Sequence, residues 1–235
     1  MKLAIMQPYL FPYIGYFQLV AAVDKFVVYD DVNFIKGGWI NRNNVLLNKK
    51  STLFTVPLDK ASPFDKINET NINLKLFSIW KVKFLRSLEQ SYKKAPYFTD
   101  VYPLIETILN SDNVNLISEL AVKSIITFNE YLELGTEIVS TSSGYNNQHL
   151  SGPTRVIDIC KKENASHYIN AIGGVELYSK DAFQQHDITL NFIKPKPINY
   201  TQFGNEFVPW LSIIDLVMFN SVADTKVLIS KYDLL

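Results

Sequence analysis

The sequence predicts an α/β fold: a mostly parallel, Rossmann-like sheet with a β-hairpin after strand 2 and an inserted helical block. Three observations carry this reading. Leu3, Ala4, Ile5 and Met6 form a short apolar run that stops at a turn element with two prolines, Pro8 and Pro12. A helical pattern follows at once, and a second apolar run, Phe26-Val27-Val28-Tyr29, ends in Asp30-Asp31. Strand, loop, helix, strand is the βαβ unit. Late in the chain the alternation of short apolar runs with helical stretches returns, as expected of a parallel sheet covered by helices.

Each element follows from its residues. Residues 14–23 read as a helix with Phe17, Leu19, Val20 and Val23 on the buried stripe. Residues 34–57 carry two glycines and the β-rich tract Ser51-Thr52-Leu53-Phe54-Thr55-Val56, a hairpin or meander. Residues 67–74 read as one further strand. Three helices are then expected, over 75–94, 101–109 and 114–132. Ala95-Pro96 ends the first, because proline disfavours helix just before itself. Gly135 stands where a helix-ending glycine belongs. Strands are expected at 137–140, 167–170 and 189–193, with helices at 154–163, 177–185, 211–219 and 223–231. The expected organisation is one domain, residues 1–235, with a helical insertion over about 75–134.

Composition narrows the function classes. Among 235 residues, 23 are basic and 23 acidic, so no global field argues for nucleic acid or an anionic membrane. One cysteine, Cys160, excludes an internal disulfide framework and fits a reducing compartment. No run approaches the ~20 apolar residues of a membrane helix, and the amino terminus reads as a strand rather than a signal peptide. A soluble cytoplasmic protein is expected.

In open α/β sheets, ligands sit beyond the carboxyl ends of the strands. Gln7 and Tyr9 follow the first strand there, and Asp30 and Asp31 end the second. Adjacent residues on a strand point to opposite faces, so the two aspartates share a ligand only if the chain bends. Either carboxylate is a candidate general base or a holder of hydrated Mg²⁺, and otherwise a turn cap. Lys36, Trp39, Asn41 and Arg42 lie beside Gly37-Gly38. They offer a point charge, a stacking face, an amide and a guanidinium for a phosphate and a ring. The alternative is a turn with Trp39 in the core. Thr154 and Arg155 open a helix behind Ser151-Gly152-Pro153, which suits a phosphate at a helix start; a surface ion pair is the competing reading. Late in the chain, Glu206 is a third candidate base, Ser212 a helix cap and Asp215 a first-turn carboxylate. His149, His167 and His186 lack the spacing of a helical metal site, and no metal ligands are assigned. Cys160 reads as a small core residue.

Tyr13-Ile14-Gly15-Tyr16 occupies the place of the His-x-Gly-His element of the nucleotidyl-transferase superfamily, with tyrosines where that element has histidines. Tyr9, Tyr13, Gly15 and Tyr16 are therefore expected to line a ligand pocket with Gln7 and Asp30 or Asp31. The opening Ile5-Met6-Gln7-Pro8-Tyr9-Leu10-Phe11-Pro12-Tyr13-Ile14-Gly15-Tyr16-Phe17 resembles the WbqC-like protein family, as do Lys36-Gly37-Gly38-Trp39-Ile40-Asn41-Arg42-Asn43 and Phe207-Val208-Pro209-Trp210-Leu211-Ser212. One departure is Asn170-Ala171-Ile172-Gly173-Gly174, where the family's pattern has a Ser-Gly opening.

The resemblance implies a bacterial protein of O-antigen or other surface-polysaccharide biosynthesis. The activity it implies is transfer of glycine, or a related acyl group, to the amine of a nucleotide-linked amino sugar. Asp30, Asp31 or Glu206 would be the base, and Lys36, Arg42 and Arg155 would hold the phosphates. ATP and Mg²⁺ would be needed if glycine is activated here, and aminoacyl-tRNA stays open as a donor. A nucleotide-binding hydrolase or nucleotidyl transferase, and a non-catalytic sugar-nucleotide-binding protein, are the alternatives.

Overall fold

The computed structural model describes residues 1–204 and 206–235. Its centre is a six-stranded sheet in the order β5-β2-β1-β6-β7-β8. The strands are β1 (Lys2–Met6), β2 (Lys25–Val28), β5 (Glu137–Val139), β6 (His167–Ala171), β7 (Thr189–Pro195) and β8 (Tyr232–Leu234). All neighbours are parallel except β7 and β8. Leu3, Ala4 and Ile5 are buried, the apolar run of a strand covered on both faces.

Period-two alternation sorts this run. Leu3, Ile5 and Val27 pack with Val156, Ile159 and Cys160 of α5 (Gly152–Lys162) and with Phe183 of α6 (Lys180–Gln184). Ala4, Phe26 and Val28 pack on the other face, against Tyr16, Leu19 and Val20 of α1 (Ile14–Ala21) and Val122 and Ile125 of α4 (Ile117–Tyr131).

The hairpin, β3 (Arg42–Leu47) and β4 (Lys50–Thr55), forms a sheet of its own. Asn48 and Lys49 both have positive φ, as a tight two-residue hairpin turn requires. Its Val45, Leu46 and Phe54 build a second core with α2 (Leu74–Tyr92), α3 (Phe98–Leu109), α4 and α7 (Ile213–Phe219). The helical block thus packs on one face of the hairpin, and it is α4 that also reaches the main sheet.

Three elements differ from the sequence reading. Residues 67–74 form no strand: a single 3₁₀ turn, Ile67–Glu69, is followed by isolated bridges from Asn71 and Ile72, and Asn73 caps α2 with its side chain. A threonine hydroxyl also competes here, Thr70 Oγ1 donating to Lys66 O. The expected helix at 177–185 shortens to α6. The chain after α8 (Val222–Ile229) forms β8, an antiparallel edge strand whose short length gives almost no periodic signal. Among the described residues, no helix is long and apolar enough to cross a membrane.

Candidate functional site

Strand order fixes where a ligand fits. From β1 the chain moves outward to β2 and β5, then returns to the far side of β1 with β6 and β7. Because α1, which follows β1, and α6, which follows β6, cover opposite faces, the loops after β1 and β6 diverge and leave a crevice at their carboxyl ends. A cavity of about 440 Å³ lies there. Met6 and Tyr9 line it from the β1 side, Ala171, Ile172 and Gly173 from the β6 side, and Tyr13, Gly15 and Tyr16 from the start of α1. Trp39 reaches it from the loop before β3, Asn43 and Asn44 from the hairpin, and Trp210 from the segment before α7.

The Pro-rich loop is held to this shape at three distant points, by two side chains and one backbone carbonyl. Leu10 and Phe11 are fully buried, while Tyr9 and Tyr13 remain half-buried toward the cavity. Asn43 Nδ2 donates to Phe11 O (2.8 Å), Phe11 N donates to Ser124 Oγ (3.1 Å) and Leu10 N donates to Ile40 O (3.1 Å). Phe11 takes a positive φ of 45°, which these bonds hold against its intrinsic preference. Asn43 and Ser124 were not singled out by sequence reasoning; a polar residue inside an apolar helical face, as Ser124 is in α4, was the available signal.

The tyrosines form one aromatic wall. Tyr9 and Tyr16 have ring centroids 5.5 Å apart, and Tyr16 OH donates to Gln7 O at 3.0 Å. Burial raises the pKa of all three hydroxyls, Tyr9 further through Tyr13 and Tyr16 further through Tyr9. They therefore stay protonated at neutral pH and serve as hydrogen-bond donors. A Cβ on Gly15 would lie 2.5 Å from the Tyr13 ring, so this glycine makes room for Tyr13 over the helix start. Gln7 is half-buried and does not line the cavity.

Asp30 and Asp31 are brought together, but elsewhere. Both are buried beyond β2, next to the loop after β5. Asp30 Oδ1 accepts from Thr141 Oγ1 (2.7 Å) and Ser142 N (3.1 Å), and a separate cavity lined by Asp30, Glu119 and Lys123 opens on the α4 side. Asp31 turns the other way, toward α5, where Arg155 Nη2 meets its Oδ2 at 2.5 Å. The Ser142 hydroxyl contacts both carboxylates. Burial pushes the Asp30 carboxyl upward against the bonds from Thr141 and Ser142. Burial acts on Asp31 too, but Ser142 and the Arg155 guanidinium outweigh it and hold that carboxyl below its ordinary value.

Arg155 is neither a surface ion pair nor a free phosphate ligand. Its Nε donates to Asn147 Oδ1 (2.9 Å), its guanidinium lies 4.8 Å from the Tyr29 ring centroid, and the whole side chain is buried. Neighbouring Thr154 is exposed. Ser151 precedes α5 without a side-chain capping bond. Two carboxylates, two hydroxyls, an amide and a guanidinium thus satisfy one another, which is what buried charges require.

The remaining candidates divide. Trp39 is 44% exposed at the cavity mouth, with the Arg42 guanidinium 5.8 Å from its ring centroid and Arg42 Nε bonded to Gly38 O (2.9 Å). Asn41 is buried and holds Val56 O (2.9 Å), while Lys36 and Arg42 line a shallower cavity on the outer side of the hairpin. Glu206 is exposed and lines neither the aromatic cleft nor the acid network. Asp215, read as a first-turn carboxylate, is buried and accepts from Tyr92 OH (2.8 Å), Tyr200 OH (2.7 Å) and Gln202 Nε2 (2.6 Å). Among the described residues, no group of three or more His, Cys, Asp or Glu is arranged to hold a metal ion. The residues lining the cleft likewise offer no carboxylate for Mg²⁺.

Fold and cleft define the class: an open α/β sheet, covered on both faces, with an aromatic crevice where the strand order reverses. The chain belongs to the WbqC-like protein family, whose model matches residues 7–227. It is similar to a Mycobacterium tuberculosis protein named Uncharacterized protein Rv1507c, 27% identical over 226 residues that make up 95% of each chain. No solved structure matches it.

Proposed function

We propose that the aromatic cleft binds a nucleotide-linked amino sugar, and that the protein transfers glycine or another small acyl group to the amine of that sugar. The carrying observation is the coincidence of the cleft with the strand-order reversal between β1 and β6. Tyr9, Tyr13, Trp39 and Trp210 supply flat faces for a sugar ring or base. The Tyr9 and Tyr13 hydroxyls and the Asn44 position supply neutral polar contacts, and the Arg42 guanidinium beside Trp39 offers a cation for a diphosphate. The acceptor class comes from the family resemblance.

A second reading has an observation of its own. Asp30, Asp31 and Glu206 all lie outside the cleft, and the two aspartates are already engaged. That arrangement favours a sugar-nucleotide-binding protein without turnover. Incubating the full chain with a panel of amino-sugar nucleotides, glycine, ATP and Mg²⁺, and separately with aminoacyl-tRNA and acyl thioesters, tests both by mass spectrometry. An acyl mass increment on the sugar supports the transferase. Saturable binding with no increment from any donor supports the second reading.

A further inference from the structure

Beside the aromatic cleft lies a second cavity of about 350 Å³, a volume suited to a small ligand. The two share Tyr13 and Trp210, whose ring centroids are 6.3 Å apart. Ile14, Pro195, Ile198, Phe207, Leu211 and Leu216 make the second cavity a hydrocarbon chamber. Lys196 is the one charged residue in its lining, and its ammonium is paired with Asp233 at 2.6 Å.

Trp210, on the partition, is 74% exposed and has a φ of +61°, a left-handed conformation that bulky residues rarely adopt. The flanking backbone holds it there. Ser212 N donates to Asn44 O (2.8 Å), Ile213 N donates to Pro12 O (2.8 Å) and Tyr13 bridges to Ser212. Burying this indole in a core is not what stabilises the arrangement, since most of its surface faces solvent. Strain maintained by the surroundings at a cavity wall points to a contact with a ligand.

We infer that the apolar chamber takes the hydrocarbon acyl group of a second substrate, an acyl thioester, whose carbonyl meets the acceptor amine between Tyr13 and Trp210. This rests on the proposed transfer to an amino sugar and names its donor. A glycyl group carries an ammonium and needs an anion, and no carboxylate lines the chamber. Asp215, adjacent to the lining residue Leu216, is already enclosed by Tyr92, Tyr200 and Gln202. An uncharged acyl chain has no such requirement. In the transfer, the amine nitrogen attacks the thioester carbonyl, the C–N bond forms and the C–S bond breaks. The sulfur leaves as thiolate and takes the proton that nitrogen loses.

Calorimetry on the full chain with acetyl, butyryl, hexanoyl, octanoyl and glycyl thioesters of N-acetylcysteamine tests this. Affinity should rise about fourfold per added methylene until the chamber fills. The glycyl thioester should bind more weakly than the butyryl one. Ile198→Trp, which fills the chamber, should abolish the chain-length gain while leaving amino-sugar nucleotide affinity within about twofold. The wild-type series decides the matter even if that variant folds poorly. Affinity independent of chain length, or tighter binding of the glycyl thioester, overturns the inference. Glycyl transfer with a flat chain-length series removes the chamber but keeps the transferase. A rising series with no amino-sugar nucleotide bound keeps the chamber and removes the acceptor.

Discussion

The aromatic cleft and the Asp30–Asp31–Arg155 network stand at the same carboxyl edge of one sheet, yet their polar groups are in opposite conditions. In the network each charge is buried and has its partner: Arg155 for Asp31, Thr141 and Ser142 for Asp30. In the cleft, half-buried tyrosines and exposed tryptophans present ring faces to open space, and the loops that carry them are held from behind by Asn43, Ser124 and Ile40. Charged residue types at a strand end therefore do not by themselves mark the place where a ligand binds. The difference lies in whether the partners come from the chain or are left to the ligand.

The largest effect that tests this contrast is expected at Arg155. Arg155→Ala leaves Asp31 buried without its cation and should lower stability by about 3–5 kcal/mol in urea unfolding. Its pH dependence has a definite sign. The Asp31 carboxyl is depressed in the folded state, so its contribution is fully present above the unfolded carboxylate value of about 3.9. It is lost as pH falls through the lower folded value. The wild type should lose this increment in acid, and Arg155→Ala should not show it. A variant of normal stability that binds sugar nucleotide poorly would instead make Arg155 a phosphate ligand and erase the contrast.

Trp39→Ala should show the reverse profile. Loss of an exposed ring face costs about 0.5–1.5 kcal/mol of binding, so amino-sugar nucleotide affinity should fall by up to about tenfold in calorimetry. Its melting temperature should hardly move, because the ring is not core. Unchanged affinity would take the hairpin out of the site.

Gly15→Ala probes the cleft from behind. The new methyl collides with the Tyr13 ring, which must leave its present place in the cleft wall. A few-fold loss of ligand affinity is expected, with a stability change of at most about 1 kcal/mol, since alanine suits a helix better than glycine. In a Tyr13→Ala background the same substitution should leave affinity unaltered. An equal loss in both backgrounds would mean that Gly15 itself meets the ligand.

The smallest effect belongs to Glu206→Gln: stability within about 0.5 kcal/mol and affinity within twofold, as for an exposed charge. Lower turnover with intact binding, read by the mass-spectrometric assay, would place the base on this segment after all.

How much of this was legible in the residues depends on range. The apolar runs at Leu3 and Phe26 and the helical periodicity between them mark the first βαβ unit, because these signals are local. So was the Pro-bounded loop carrying Tyr9, Tyr13, Gly15 and Tyr16, all of which line the cleft. Residues 67–74 misled, since Ile67, Ile72 and Leu74 among Asn and Thr suggest a strand by residue type, while their backbone partners lie in scattered places. Asp215 looked like an ordinary first-turn acid; its three donors come from Tyr92, Tyr200 and Gln202, only two of which are near it in sequence.

By itself the sequence determined five of the sheet's six strands, the place of the helical block and the family, because apolar periodicity and motif order are written in consecutive residues. Only the tertiary structure decided that Arg155 neutralises Asp31 across 124 positions of chain, and that Trp39 and Trp210 meet the first loop at one crevice. A charge's partner and a cavity's far wall are set by the packing of distant elements. Both depend on how the strand order reverses at β1.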